Sequence, residues 1–483
     1  MPDNANSLDP ADWEAFRELC HRAVDDSVDF LKGVRDRPVW RPVPEATKTA
    51  LSTTAPIEGA PLEVVYDRFL EHVRAYPTGN IHPRFFGWVH GTGTAGGALA
   101  EFLAATMNAN VGGRDHAAVY VERQVIGWFR DIFGFPAEAS GVLVSGTSMA
   151  TLLALTIARN QALAGDVRLR GVGGDGATLR LYTSAEAHNS VAKAAEVLGL
   201  GRERLRAVPA DASGRMDMQA LAAAIVADKE AGLKPFCVVA TAGAVNTGAS
   251  DDLVAIADLC AANGLWMHVD GAFGALAILS PEHRHLVNGV EQADSLAFDF
   301  HKWLHVPYDA GCLLVRDGEK HFSTFASNPN YLAKAEAGLA GGTPWFNDFG
   351  VELSRGFRAL KVWFTIQEHG LARLGEKIAD NCAHARRLAE LVDVDPALER
   401  LAPVALNIVC FRAVPPGLEG GAIDSLNAAI VPWLHEEGVV APSLTKVGGR
   451  SAIRVNITNH RTQAEDMNIL VEAVHRAVAR LRA

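Results

Sequence analysis

The chain is poor in cysteine, in basic tracts and in long apolar runs. Its six cysteines, Cys20, Cys237, Cys260, Cys312, Cys382 and Cys410, are scattered, and none forms a CxxC pair. That spacing excludes a disulfide framework, gives no metal-ligand pattern, and fits buried free thiols in a reducing compartment. Lys and Arg number 45 against 56 Asp and Glu, a net charge of −11. An acidic chain without a basic tract argues against nucleic acid as a partner. No apolar run reaches the ~20 residues that span a bilayer, so no membrane segment is expected. The first residues, Met1 to Glu14, are polar and acidic and lack the features of a secretory leader. A cytoplasmic protein is the expectation. What the chain does have is an ordinary globular balance, 49% hydrophobic and 21% charged over 483 residues. That length calls for more than one small core.

Residues 1–80 read as an N-terminal helical arm, interrupted by Pro38, Pro42, Pro44, Pro56 and Pro61. Such an arm has little core of its own and is expected to pack on something else. Val121, Val125, Trp128 and Ile132 recur at helical spacing. From about 140 onward, short Val- and Leu-rich runs alternate with helical patterns. Candidate strands are 142–145, 179–183, 236–241, 265–270, 295–298 and 312–315. Candidate helices are 148–163, 189–198, 217–228 and 251–262. This alternation predicts an α/β domain over 81–365 with a mostly parallel sheet covered on both faces. Ligands of such sheets bind beyond the carboxyl ends of the strands, where Ser145, Thr241 and Asp270 fall. Residues 317–350 read as a long loop, and 351–370 as a helix. Residues 366–483 read as a smaller α+β domain, with strands at 407–412 and 452–457 and a last helix near 463–482.

The chemistry is concentrated in a few places. Lys302 follows an apolar strand and sits between His301 and Trp303. Burial there disfavours the ammonium form and favours an amine that attacks an aldehyde. Asp270 ends the apolar run Trp266-Met267-His268-Val269. A carboxylate at the end of a buried strand needs a partner, and a protonated pyridine nitrogen is a suitable one. The pair points to pyridoxal phosphate (PLP), with Lys302 in Schiff-base linkage and Asp270 on the ring nitrogen. Gly146, Thr147 and Ser148 lead from a strand into a helix, which makes a phosphate cup from small residues, hydroxyls and free N–H groups. The same residues also suit simple helix capping. His188, just after another strand, suits stacking on a planar ring, or a purely structural role.

Taken together, these sites resemble the group II PLP-dependent amino-acid decarboxylases, which include the aromatic-L-amino-acid, histidine, glutamate and cysteine-sulfinate enzymes. The resemblance covers nearly the whole chain. It rests on His82-Pro83-Arg84-Phe85-Phe86, Gly146-Thr147-Ser148-Met149-Ala150-Thr151, Ala187-His188, Ala240-Thr241, His268-Val269-Asp270, His301-Lys302-Trp303, Pro329-Asn330-Tyr331-Leu332 and the run from Phe357 to Trp363. It implies the fold of type I PLP-dependent transferases, with a seven-stranded sheet, a small C-terminal domain and a homodimer with interfacial active sites. Lys302, Asp270, His188 and Tyr331 match catalytic positions, Tyr331 as the proton donor on a catalytic loop. Thr147, Ser148, Asp299 and His301 match the phosphate side, and Thr241 and Ala272 match positions near the ring. Asp299 departs from the asparagine that some relatives carry.

The expected reaction is decarboxylation of an L-amino acid to its amine. The side chain it takes is less determined. His82, Phe85, Phe86 and Trp88 suit an aromatic substrate or a core, and Arg84 suits a substrate carboxylate or a structural ion pair. The balance falls slightly toward aromatic or other hydrophobic substrates. The alternatives are an acidic-substrate decarboxylase, an oxygen-dependent aldehyde synthase, an aldolase-type lyase of the same fold and a non-catalytic PLP-binding scaffold.

Overall fold

The computed structural model describes residues 7–163, 167–327 and 334–482. Tyr331, with Pro329, Asn330 and Leu332, lies outside them.

The central sheet has seven strands: β1 (Ser140–Val144), β2 (Leu179–Ser184), β3 (Leu205–Val208), β4 (Lys234–Thr241), β5 (Trp266–Asp270), β6 (Ser295–Asp299) and β7 (Gly311–Val315). Their order is β1-β7-β6-β5-β4-β2-β3. β3, β2, β4, β5 and β6 run parallel, whereas β7 is antiparallel to both of its neighbours. The interior strands are buried along nearly their whole length, as a sheet covered on both faces requires. β3 escaped the sequence reading because it is a four-residue edge strand with Arg206 and Ala207 exposed. It gives no apolar alternation to detect.

A second, four-stranded antiparallel sheet is built from β8 (Leu398–Arg400), β9 (Ile408–Ala413), β10 (Ser443–Val447) and β11 (Arg450–Asn456). The helices Gly421–Glu437 and Glu465–Arg482 contribute Ile430, Leu434, Leu470 and Val474 to its apolar core. A long helix, Arg358–Val394, joins the two regions and breaks at Gly370, whose φ of 70° lies in the left-handed region.

Two expectations are corrected here. The segment 317–350 is not all loop, because Gly318–Phe325 forms a helix capped by Asp317, which accepts the Lys320 N–H at 3.1 Å. The helix expected from 351 begins only at Arg358, since Gly356 and the buried Arg355 occupy an irregular stretch. There Arg355 Nη1 donates to the Val111 carbonyl.

In the N-terminal arm the helices Trp13–Lys32 and Leu62–Phe69 bury no residue of their own. Trp13, Val28, Val65 and Phe69 stand exposed.

Candidate active site

The turn that carries Lys302 is clamped from both sides. Phe298 and Phe300 pack on Phe129 with ring centroids 5.3 and 4.9 Å apart. On the other side Trp303 Nε1 donates to Asn381 Oδ1 at 3.0 Å. Aromatic contacts of this kind contribute ~1 kcal/mol each beyond area burial, so the backbone under Lys302 has little freedom. Gly91 lets a second segment press on the same turn, because a Cβ there would overlap the His301 carbonyl and sit 3.0 Å from that of Lys302.

A cavity of about 500 Å³ opens beyond the carboxyl ends of the strands. Lys302, Asp270 and His188 all line it, as do Gly146, Thr147 and Ser148 at the start of the helix Thr147–Ala162. Thr241 and Ala272 complete another wall, and Asp299 and His301 lie on the lysine side. Every residue assigned from sequence to the cofactor is therefore brought to one cavity; Tyr331, expected as the proton donor, lies outside the described residues.

The electrostatics follow from burial. Burial pushes the Asp270 carboxyl above its ordinary value, against the pull of the Lys302 ammonium and the Ala272 N–H. Burial works against the charge of Lys302, but Asp299 and then Asp270 outweigh it and raise the amine. Burial lowers His301 as well. His188 accepts the Ser190 N–H on Nδ1 at 3.2 Å. In the neutral ring this leaves the proton on Nε2.

Whether PLP fits can be tested on the orphaned polar atoms. Thr147 Oγ1 and Thr241 Oγ1 are buried without a hydrogen-bond partner among the described residues. An unsatisfied buried hydroxyl costs ~1–3 kcal/mol, and both residues line the cavity. A phosphorylated pyridine supplies acceptors for such hydroxyls, a dianion for the helix N-terminus and a ring N–H for Asp270. The residues fit the group. Asp299 is the exception on the phosphate side, because its charge has the sign of a phosphate.

The substrate assignments fare differently. Trp88 lines the cavity and adopts a left-handed φ of 51°, a conformation that clusters at functional sites. Phe85 sits behind it, tilted, with ring centroids 6.2 Å apart, and packs with Val39 and Ala441. Phe86 is fully buried in the core of the second sheet. His82 is buried, accepts the Arg84 N–H on Nδ1 at 3.0 Å, and is lowered to about 4 by burial. Arg84 turns away as well, donating from Nε to the Val439 carbonyl at 2.9 Å. His82, Arg84, Phe85 and Phe86 therefore do not line the cavity, because the segment pairs with the second sheet's surroundings instead.

Three residues that sequence reasoning missed shape the same cavity. His90 and Tyr308 line it, with ring centroids 6.1 Å apart. Tyr308 also packs on His301 at 4.4 Å. Tyr308 lies six positions past Lys302, which was signal enough to include it, whereas His90 shares only proximity to Trp88. Arg454, on β11, donates to the Trp88 carbonyl at 2.9 Å and to the Val245 carbonyl. It ties the second sheet to two cavity segments, a long-range role with no local signature.

The pyridoxal-dependent decarboxylase conserved domain matches residues 44–414. An aromatic-L-amino-acid decarboxylase of Bacillus atrophaeus is 34% identical over 460 residues, covering 94% of this chain and 93% of that protein. A phenylacetaldehyde synthase of a Rosa hybrid cultivar is 30% identical, covering 96% of this chain and 94% of that protein. The crystal structure of Oryza sativa TDC with PLP and tryptamine superposes with a TM-score of 0.90 at 28% identity, covering 98% of this chain and 100% of that one. The chain belongs to the pyridoxal-dependent decarboxylases of group II, as a PLP-dependent carboxy-lyase that converts an amino acid to its amine.

Proposed function

We propose that the substrate is an aromatic L-amino acid. The observation that carries this reading is the cavity wall formed by Trp88, His90 and Tyr308, backed by Phe85. Planar rings stack on such walls at little entropic cost. The cation that would favour an acidic side chain, Arg84, is held elsewhere by Asp466, 3.8 Å away. Relatives named for aromatic amino acids and tryptophan point the same way. Steady-state kinetics with single substrates test it: kcat/KM for aromatic amino acids is expected to exceed that for glutamate, aspartate and cysteine sulfinate. The reverse ranking overturns it.

In this reading Lys302 anchors the cofactor and Asp270 accepts its pyridine N–H. His188, its orientation fixed by Ser190, would lie against the ring. Thr147, Ser148 and His301, with the N-terminus of the helix after Gly146, would hold the phosphate, and Thr241 and Ala272 would border the ring. Bound PLP supplies an electron sink for the Cα–carboxylate bond. The rings of Trp88, His90 and Tyr308 orient the side chain, which fixes the bond to be broken; positioning of this kind supplies on the order of 7–11 kcal/mol in favourable cases. Tyr331 delivers the proton to Cα, which makes the product an amine rather than an aldehyde.

The same reading makes the enzyme a homodimer, with a second copy covering the exposed apolar faces of the arm. Leu99, Phe102 and Met107 on the helix Ala95–Met107 are exposed as well. It divides the chain into an arm at 1–80, a cofactor domain at 81–365 and a small domain at 366–483, supported by the two separate sheets and by the break at Gly370 near the second border. A cytoplasmic location is supported by the free buried thiols Cys237, Cys260, Cys312, Cys382 and Cys410.

A further inference from the structure

Asp299 holds two groups that an arriving cofactor also needs. Its Oδ2 lies 2.9 Å from Lys302 Nζ, and its Oδ1 accepts the Thr147 N–H at 2.7 Å. The side chain is 2% exposed. Gly311 makes room for it, since a Cβ there would come 2.7 Å from Oδ1. The Thr147 N–H belongs to the first turn of the helix Thr147–Ala162, where donors are free and an anion is favoured. One buried carboxylate therefore sits on the lysine and on the anion-binding end of the helix at once.

We propose that Asp299 is a latch on cofactor capture, holding Lys302 as its ammonium and capping the phosphate-side helix until PLP arrives. The inference rests on the reading of Lys302 as the cofactor lysine. Capture requires Lys302 to lose one proton to solvent. The neutral amine then attacks the aldehyde carbon, a carbon–nitrogen double bond forms, and the aldehyde oxygen leaves as water with the two remaining amine hydrogens. No oxidant or reductant is involved. A carboxylate paired with the ammonium opposes the first of these events, and its charge also repels the phosphate.

The other titratable groups around Lys302 are Asp270 at the end of β5 with His188 beside it, His301 and Tyr308 on the lysine side, and His90 on the opposing segment. Asp270 also favours the ammonium, so removing Asp299 weakens the hold on Lys302 without abolishing it. Asp299→Asn removes the charge and keeps an oxygen for the Thr147 N–H.

The test uses full-length, cofactor-stripped enzyme mixed with PLP over a pH series. The adduct on Lys302 is trapped with borohydride and located by peptide mass spectrometry, and the rise in visible absorbance gives the rate. With Asp299→Asn, capture at neutral pH is expected to be about tenfold faster, with the whole rate profile displaced by about one unit toward lower pH. Asp299→Ser, smaller and equally uncharged, is expected to move it the same way, tying the effect to charge rather than shape. Capture that is unchanged or slower in both variants, while wild-type enzyme forms the Lys302 adduct, overturns the latch alone. No adduct on Lys302 in wild-type enzyme overturns the cofactor assignment, and the latch with it.

Discussion

Arg84 and Asp466 face each other with Nη1 and Oδ1 3.8 Å apart, and Asp466 is shared with Arg35 at 2.8 Å. Asp466 is fully buried, at the start of the last helix. The arginine is thereby committed to joining the segment at 84 to the second sheet's helix. Arg84→Met is expected to lower folding stability by about 1–2 kcal/mol, because Arg35 still serves the carboxylate. The ratio of kcat/KM between aromatic and acidic substrates is expected to stay unchanged. Urea denaturation and substrate kinetics check the two halves; a changed ratio would mean that Arg84 reaches the substrate.

Trp88 is half exposed yet held by Arg454 and by the Ser443 hydroxyl, which accepts its N–H at 3.4 Å. Trp88→Ala is expected to raise KM for an aromatic substrate about tenfold, the loss of one ring face at ~1.4 kcal/mol. Cofactor content should be untouched. Michaelis kinetics alongside a PLP assay separate the two, and an unchanged KM removes Trp88 from the substrate wall.

Tyr331→Phe keeps the ring and removes the proton. Amine formation is expected to fall at least a hundredfold, with PLP content preserved. Product analysis decides, since normal amine output assigns the proton to another group.

Acid stability follows from the buried imidazoles. Burial lowers His82 and His321 to about 4, His268 and His305 to about 3, and His460 to about 2, all from 6.5. Below the ordinary histidine value the unfolded chain takes protons that these rings refuse, so stability falls as pH falls, by ~1.4 kcal/mol per unit for each ring. Asp251 acts in the opposite sense: burial pushes it up to about 6 from 3.8, so the folded state gains its proton first and stability rises slightly as pH drops through that window. The rings outnumber it, and the urea midpoint is expected to be clearly lower at about pH 5 than at neutral pH. A flat profile contradicts this.

The cofactor side of the site was legible because each of its residues ends or follows a buried strand. Asp270, Thr241 and Lys302 carry polar groups where the local pattern demands apolar ones, and that conflict is visible in sequence. The substrate side was not. His82, Arg84 and Phe86 stand beside Trp88 in sequence, but the Phe86 N–H donates to the Ala441 carbonyl at 2.8 Å, which turns that segment onto the second sheet. His90 and Tyr308 meet across the cavity from segments more than two hundred positions apart, and periodicity says nothing about such contacts. β3, β8 and β10 were missed for a simpler reason, being short edge strands of four, three and five residues.

The most direct test of the account is a product screen by mass spectrometry. PLP-loaded enzyme is given a pool of aromatic and acidic amino acids, and amines and aldehydes are both read. One dominant aromatic amine, formed without peroxide, is the predicted result. An aldehyde with peroxide, or an amine only from an acidic amino acid, would contradict it.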